Sequence, residues 1–201
     1  MYDKGRSVLA AKLLSDCIGM QDFSRIVHVC HYAMMVEHIA GDIVEFGCYV
    51  GNTAKILTHI TNKSIHVYDS FEGLPQDCTN NQSRMNEASA RLLVQNFRDD
   101  GLKFPNIVKG WFSELTADDV PKSISFAHLD GDLYLSVIDP LRLIYNRMSS
   151  GGIILIDDYQ DPEWPGVEVA VSEFFTDKPE DVVVLPGMNG TLSYKALVVK
   201  K

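Results

Sequence analysis

The stretch GGIILIDDYQDPEWPG, residues 151–166, decides the fold. Ile153, Ile154, Leu155 and Ile156 form an unbroken apolar run that stops at two adjacent acids, Asp157 and Asp158. A run this short, opened by glycines and rich in branched residues, reads as a strand covered on both faces, as strands of parallel sheets are. Upstream, FAHLDGDLY (126–134) repeats the design and ends in Asp130 and Asp132. Two buried strands therefore deliver acid pairs to the same kind of place, a strand's carboxyl end.

Outward from these two strands, the chain alternates. The segment to about Ala40 has helical spacing of apolar residues, and Gly41-Asp42 breaks it. DIVEFG (42–47) reads as strand one, followed by a helix from Asn52 to about Thr61. SIHVYDS (64–70) is strand two, followed by a polar loop, FEGLPQDCTNNQSRMN (71–86). A helix from Glu87 to Asp100 closes at Gly101, and NIVKGWF (106–112) is strand three. SISFAHLDGD (123–132) is strand four, Val137–Met148 a helix, GGIILIDDY strand five and Gly166–Phe175 an amphipathic helix. The final DVVVLPGMNGTLSYKALVVKK (181–201) reads as two strands around Asn189-Gly190, a hairpin signal. This order predicts one α/β domain over residues 1–201: a mostly parallel, Rossmann-like, seven-stranded sheet with helices on both faces and a C-terminal antiparallel hairpin.

In open α/β sheets, ligands sit beyond the carboxyl ends of the strands where strand order reverses. VEFGCYVGNTA (44–54) puts Gly47 and Gly51 at such an end, and Asp69 closes strand two 22 residues after Gly47. An acid at that offset accepts hydrogen bonds from ribose hydroxyls. The spacing is GxxxG rather than the dinucleotide GxGxxG, and Glu45 would repel a pyrophosphate. A carboxylate there suits a cationic ligand with a ribose and no phosphate, such as S-adenosylmethionine. The bland alternative is an ordinary tight strand–helix turn.

Strands four and five as sheet neighbours would lie about 4.8 Å apart. Asp130, Asp157 and Asp158 would then share one rim, where like charges demand a counter-ion. A hard divalent cation such as Mg²⁺, which takes oxygen ligands, answers that demand. It would orient an acceptor hydroxyl and lower its pKa, with Asp130 as the candidate base. Helix capping is the competing role for these acids, above all for Asp132.

Five motifs occur in order: VEFGCYVGNTA, VYDSFEGLP (67–75), KGWFSELT (109–116), HLDGDLYLSVIDPL (128–141) and SSGGIILIDDY (149–159). Over roughly Asp42 to Phe175 the sequence resembles the macrocin O-methyltransferase family of class I S-adenosylmethionine-dependent methyltransferases. That resemblance implies S-adenosylmethionine as donor, Mg²⁺ dependence and a sugar hydroxyl or other diol as acceptor. It implies Glu45, Gly47 and Gly51 along the methionine and ribose, with Tyr49, Asn52 and Thr53 among the donor contacts. Asp69, Ser70 and Phe71 would hold ribose and adenine, and Gly110, Trp111 and Phe112 would lie by the adenine. Asp130, Asp157 and Asp158 would ligate the metal, Asp130 also touching the donor, and residues 72–86 would form a lid. The sequence departs from the family in the helix after Trp164, where Glu168 stands and no Lys or Arg occurs before Lys178.

Two other functions share these features. An NAD-dependent oxidoreductase fits the fold but not the glycine spacing. A non-catalytic S-adenosylmethionine-binding module fits the altered helix after Trp164, a residue expected to edge the acceptor pocket. Composition narrows the partners: a net charge of −9 argues against a nucleic-acid backbone binder. No apolar run approaches a membrane span, and the four cysteines, Cys17, Cys30, Cys48 and Cys78, show no CxxC pair. The expectation is a soluble, cytoplasmic protein with reduced thiols, no membrane partner and an open oligomeric state. His28 and His31, three apart in the N-terminal segment, could share a helix face and a metal but read first as satisfied or exposed helix histidines, and His128 as a buried, hydrogen-bonded one.

Overall fold

The computed structural model describes residues 23–75, 89–187 and 192–201. Its elements run α1 (Phe23–Met35), β1 (Asp42–Phe46), α2 (Asn52–Ile60), β2 (Ile65–Asp69), α3 (Ala90–Asp99), β3 (Asn106–Lys109), β4 (Ile124–Leu129), α4 (Tyr134–Ile144), β5 (Met148–Asp157), α5 (Pro165–Phe175), β6 (Val182–Pro186) and β7 (Leu192–Val199). The seven strands form one sheet in the order β3-β2-β1-β4-β5-β7-β6. The first five are parallel, and β7 runs antiparallel to both β5 and β6. The chain builds outward from β1 to β3 and then crosses back to lay β4 on β1's other side. That reversal opens the crevice at the carboxyl ends of β1 and β4.

Strand alternation sorts the core into two layers. Ile154 and Ile156 of β5 pack with Val44, Phe46, Val137, Leu141, Val167 and Val171, under α4 and α5. Ile153 and Leu155 face the other way, against Ile26, Val29, Leu57, Leu93 and Phe97 of α1, α2 and α3. Each neighbour on β5 therefore serves a different layer, which is why no polar residue interrupts the run.

The boundaries differ from the sequence expectation at several places. The expected helix Val137–Met148 starts earlier, at Tyr134, and ends at Ile144 in a short 3₁₀ turn over Tyr145–Arg147. Arg147 Nη1 holds the carbonyls of Val120 and Pro121, and Met148 already pairs with Ile124. Gly151-Gly152 therefore lies inside β5, at the irregularity between Met148 and Ile153, rather than at its start. Strand three stops at Lys109, and Gly110, Trp111 and Phe112 leave the sheet. The N-terminal helical expectation for residues 1–22, the loop 76–86, the turn Asn189-Gly190 and Cys17 and Cys78 lie outside the described residues. Cys48 is buried and Cys30 half-buried. Among the described residues, no helix is long and apolar enough to cross a membrane.

Candidate active site

Four non-glycine residues with left-handed backbone sit just past the strand ends. They are Tyr49 (φ 49°), Phe71 (φ 52°), Asp132 (φ 61°) and Asp158 (φ 57°). Such angles are uncommon outside glycine, and strain of this kind clusters at functional sites. Two of the four, Tyr49 and Asp132, line one crevice.

Gly47 ends β1 with φ 87°, and a Cβ there would lie 1.8 Å from the carbonyl oxygen of Asp130. The absence of a side chain is what lets the ends of β1 and β4 close together, sealed by Asp130 N–H donating to Phe46 O at 2.8 Å. Gly51 serves packing rather than ligand approach. Its φ is 85°, and a Cβ would meet Leu93 Cγ at 2.8 Å where α3 crosses the start of α2.

A cavity of about 320 Å³ opens along this rim. Of the expected donor residues, Gly47, Tyr49, Asp69, Ser70, Gly110, Trp111, Phe112 and Asp130 line it. Glu45, Gly51, Asn52, Thr53 and Phe71 are not among its lining residues. Gly73, Leu74 and Pro75 from the expected lid line it too, as do Asp132, Leu135, Ser136 and Asp139 at the start of α4. Trp111 thus faces the crevice. Trp164 does not: it precedes α5 and packs against the core beneath that helix, so its expected place at the pocket edge is not observed.

The Asp69 carboxylate accepts the Tyr49 N–H at 2.8 Å and the Phe71 N–H at 2.7 Å, fixing both strained turns around one acid. Burial holds its pKa above the usual carboxylate value, and those same N–H bonds offset only part of the rise. Glu45 is 1% exposed, and its Oε1 lies 3.2 Å from His128 Nδ1. Its other oxygen, Oε2, is buried with no hydrogen-bond partner among the described residues. An unsatisfied buried carboxylate oxygen is costly and fits a cationic group of a bound ligand. S-adenosylmethionine carries an ammonium and a sulfonium, so the residues present suit it.

The acids come together as two groups that place Asp157 and Asp158 apart, rather than as the single expected set Asp130, Asp157 and Asp158. Leu129 of β4 sits opposite Ile156 of β5, so Asp130 and Asp157 leave the sheet side by side. Carboxylate oxygens of Asp130, Asp132 and Asp158 lie within 4.8 Å of one another. Ligand atoms of His128, Asp130 and Asp157 also do, which makes Asp130 the pivot of both groups. Neither group includes His28 or His31. Asp132 is not a helix cap: α4 begins after Leu133 with no side-chain cap. Burial first, then Asp157 and Asp158, push Asp130 up to about 7. Burial and the neighbouring Asp130 and Asp158 hold Asp132 well above the usual carboxylate range. A cluster of carboxyls that resist ionising together is a fitting donor set for a hard divalent cation.

Asp157 behaves differently, for reasons the sequence did not reveal. Burial should raise its pKa, but Lys195, Arg25 and His128 together hold it well below the usual range. Lys195 Nζ donates to Asp157 Oδ2 at 2.5 Å, and both side chains are fully buried. Arg25, from the first turn of α1, donates through Nε to Asp157 Oδ1 at 2.8 Å, and its Nη2 contacts both Asp157 and Asp158. His128 is fully buried as expected. Burial and Lys195 would lower its pKa, yet Asp157 and Glu45 prevail and push it up to about 9. It links the Glu45 side of the site to the acid side. Neither Arg25 nor Lys195 carried a motif signal.

The model of the family described as macrocin-O-methyltransferase (TylF) matches residues 12–181. The chain belongs to this family. It is 29% identical over 164 residues to a tetracenomycin rhamnosyl 4'-O-methyltransferase of Streptomyces olivaceus, covering 71% of this chain and 61% of that protein. It is 28% identical over 169 residues to the mycinamicin III 3''-O-methyltransferase of Micromonospora griseorubida, covering 72% and 65%. The chain therefore spans less than two thirds of the length of these curated relatives. Its fold is that of the O-methyltransferase NovP, with a TM-score of 0.76 at 21% identity over 89% of this chain and 80% of NovP. It is also that of the calicheamicin methyltransferase CalS11, with a TM-score of 0.68 at 18% identity over 99% and 94%. A TylF-family chain with this sheet has a class I methyltransferase fold.

Proposed function

We propose that this TylF-family protein is a Mg²⁺-dependent O-methyltransferase that moves a methyl group from S-adenosylmethionine to a hydroxyl of a small molecule, a sugar or other diol. The observation that carries the reading is that Asp130 and Asp132 of the acid cluster line the same cavity as Gly47, Asp69 and Trp111. The acceptors in the relatives' names, a rhamnosyl-tetracenomycin and mycinamicin III, favour a glycoside hydroxyl.

When bound, S-adenosylmethionine supplies an electrophilic methyl group and the cation a Lewis acid for the acceptor hydroxyl. Glu45 would hold the donor's ammonium, Asp69 its ribose, and Trp111 and Phe112 would flank the adenine. Asp130, Asp157 and Asp158 would ligate the cation. Asp132, which lines the cavity beside Asp130, would accept the hydroxyl proton alongside Asp130, the candidate that the sequence points to. Leu135, Ser136 and Asp139 would meet the acceptor at the crevice mouth. Against an NAD-dependent oxidoreductase stand the GxxxG spacing and the buried Glu45, which would meet a pyrophosphate with like charge.

The test is calorimetry with S-adenosylmethionine, with and without Mg²⁺, followed by a methyl-transfer screen of sugars, glycosides and catechols with a chelator control. Donor binding with chelator-sensitive transfer supports the proposal. Tight NADH binding without donor binding would replace it with the oxidoreductase. Donor binding with no transfer to any hydroxylated acceptor would leave a binding module.

A further inference from the structure

The two cations on Asp157 differ in kind. Lys195 projects from β7 inside the sheet, fully buried, and cannot leave without unzipping the β5–β7 pair. Arg25 sits in the first turn of α1, its side chain 19% exposed, at the end of a long flexible stem. The helix itself is anchored elsewhere, through Ile26, Val29 and Ala33 in the core under α2 and α3. Its guanidinium can therefore withdraw while the helix stays docked.

What Arg25 occupies is as informative as its freedom. Its Nε and Nη2 take Asp157 Oδ1, and Nη2 also takes Asp158 Oδ1. Asp157 Oδ2 is already held by Lys195. Arg25 thus takes the one oxygen Asp157 has left to offer a metal and one of the two on Asp158, whose carboxyl also bonds the Asp132 side chain. A hard cation needs an open lone pair on such an oxygen at about 2.0–2.1 Å, and the two guanidinium donors on Asp157 Oδ1 leave that atom none.

We propose that Arg25 is an internal stand-in for the divalent cation: it bridges Asp157 and Asp158 in the metal-free protein and gives up those oxygens when a cation binds. The inference rests on the cation site of the proposed function and adds to it a competition between a residue of this chain and the metal. Cation loading is thereby coupled to the first turn of α1, and Arg25 sets the affinity of the site as a positioning residue.

The experiment is titration of Mn²⁺ into the full chain, followed by calorimetry and by the electron paramagnetic resonance of free Mn²⁺, for wild type, Arg25→Gln and Arg25→Lys. Melting temperatures are taken with and without Mn²⁺. Removal of a competitor predicts that Arg25→Gln binds Mn²⁺ about tenfold tighter or more, with Arg25→Lys in between. Metal-free Arg25→Gln should melt lower than wild type, and saturating Mn²⁺ should close the gap. Hydrogen exchange in residues 23–26 of the wild type should speed up when Mn²⁺ is added. If Arg25→Gln is unfolded without metal, folding on Mn²⁺ addition supports the proposal and failure to fold with it overturns it. Wild type that binds Mn²⁺ while Arg25→Gln binds equally or more weakly overturns the stand-in role alone. Absence of Mn²⁺ binding by both folded proteins overturns the cation site and the stand-in together.

Discussion

Lys195 and Asp157 stand opposite each other in the antiparallel β5–β7 pair, and their side chains meet at 2.5 Å with neither reaching solvent. Breaking a buried pair by deleting one partner typically costs about 3–5 kcal/mol, because the other charge is stranded. Lys195→Met should therefore lower the unfolding free energy by about that amount in urea titrations. The double variant Lys195→Met/Asp157→Leu should recover only part of the loss, because it leaves Arg25 and His128 without their shared carboxylate. A Lys195→Met protein as stable as wild type would show that the pair is not formed.

Glu45 has one oxygen on His128 and one unsatisfied among the described residues. A hydrogen bond to a charged group contributes about 1.5–3 kcal/mol, so Glu45→Gln should weaken S-adenosylmethionine binding roughly ten- to a hundredfold. Calorimetry reads this directly. Unchanged affinity would remove Glu45 from the donor site.

Asp130→Asn and Asp158→Asn should each cut methyl transfer by at least about a hundredfold while leaving donor affinity within a few-fold, since neither is assigned to the donor's ammonium or ribose. Comparison of turnover and calorimetric affinity on the same preparations decides it. Near-normal turnover in both would refute the role of the acid cluster. Asp157→Ala is a poorer probe, because it also strands Lys195 and Arg25.

Two shifts give the metal-free protein a common pH trend. Asp130 is held at about 7 by burial and its acidic neighbours, above its unfolded value near 3.8. The folded state keeps that proton longer, so stability falls as pH rises from about 4 to about 7. His128, pushed up to about 9 against burial by Asp157 and Glu45, contributes stability that is whole below about 6.5 and lost by about 9. Thermal melts in chelator should therefore decline from pH 4 toward 9. His128→Gln should flatten the upper half, and saturating Mg²⁺ the lower half. A flat profile in chelator would contradict both assignments.

Gly47→Ala should be among the most damaging single changes. The left-handed backbone costs an ordinary residue about 1–2 kcal/mol, and the added Cβ would overlap the Asp130 carbonyl at 1.8 Å. β1 and β4 cannot part without opening the crevice, so loss of stability and of donor binding should appear together in melts and calorimetry. Binding retained at wild-type stability would mean the strands part freely.

Much of this protein was legible along the chain. The uninterrupted run Ile153–Ile156 announces a strand covered on both faces, and alternating strands and helices dictate a parallel sheet. The acids at Asp69, Asp130, Asp157 and Asp158 fall at strand ends by position alone, and right-handed crossovers bring those ends to one rim. Local sequence and connection rules suffice for that, because each feature depends on residues a few positions apart. Element limits such as the start of β5 were less visible, since Met148 joins the strand only by pairing with Ile124.

Tertiary structure alone decided the charge balance of the site. Lys195 sits in an ordinary-looking C-terminal strand, and it is buried against Asp157 because β7 slots between β5 and β6. Arg25 lies 132 residues from Asp157 and reaches it because α1 docks on the same face of the sheet. The acids could be counted from the sequence; their counter-charges could not, because a charge is paired by proximity in space, and proximity at such separations exists only once the sheet is assembled.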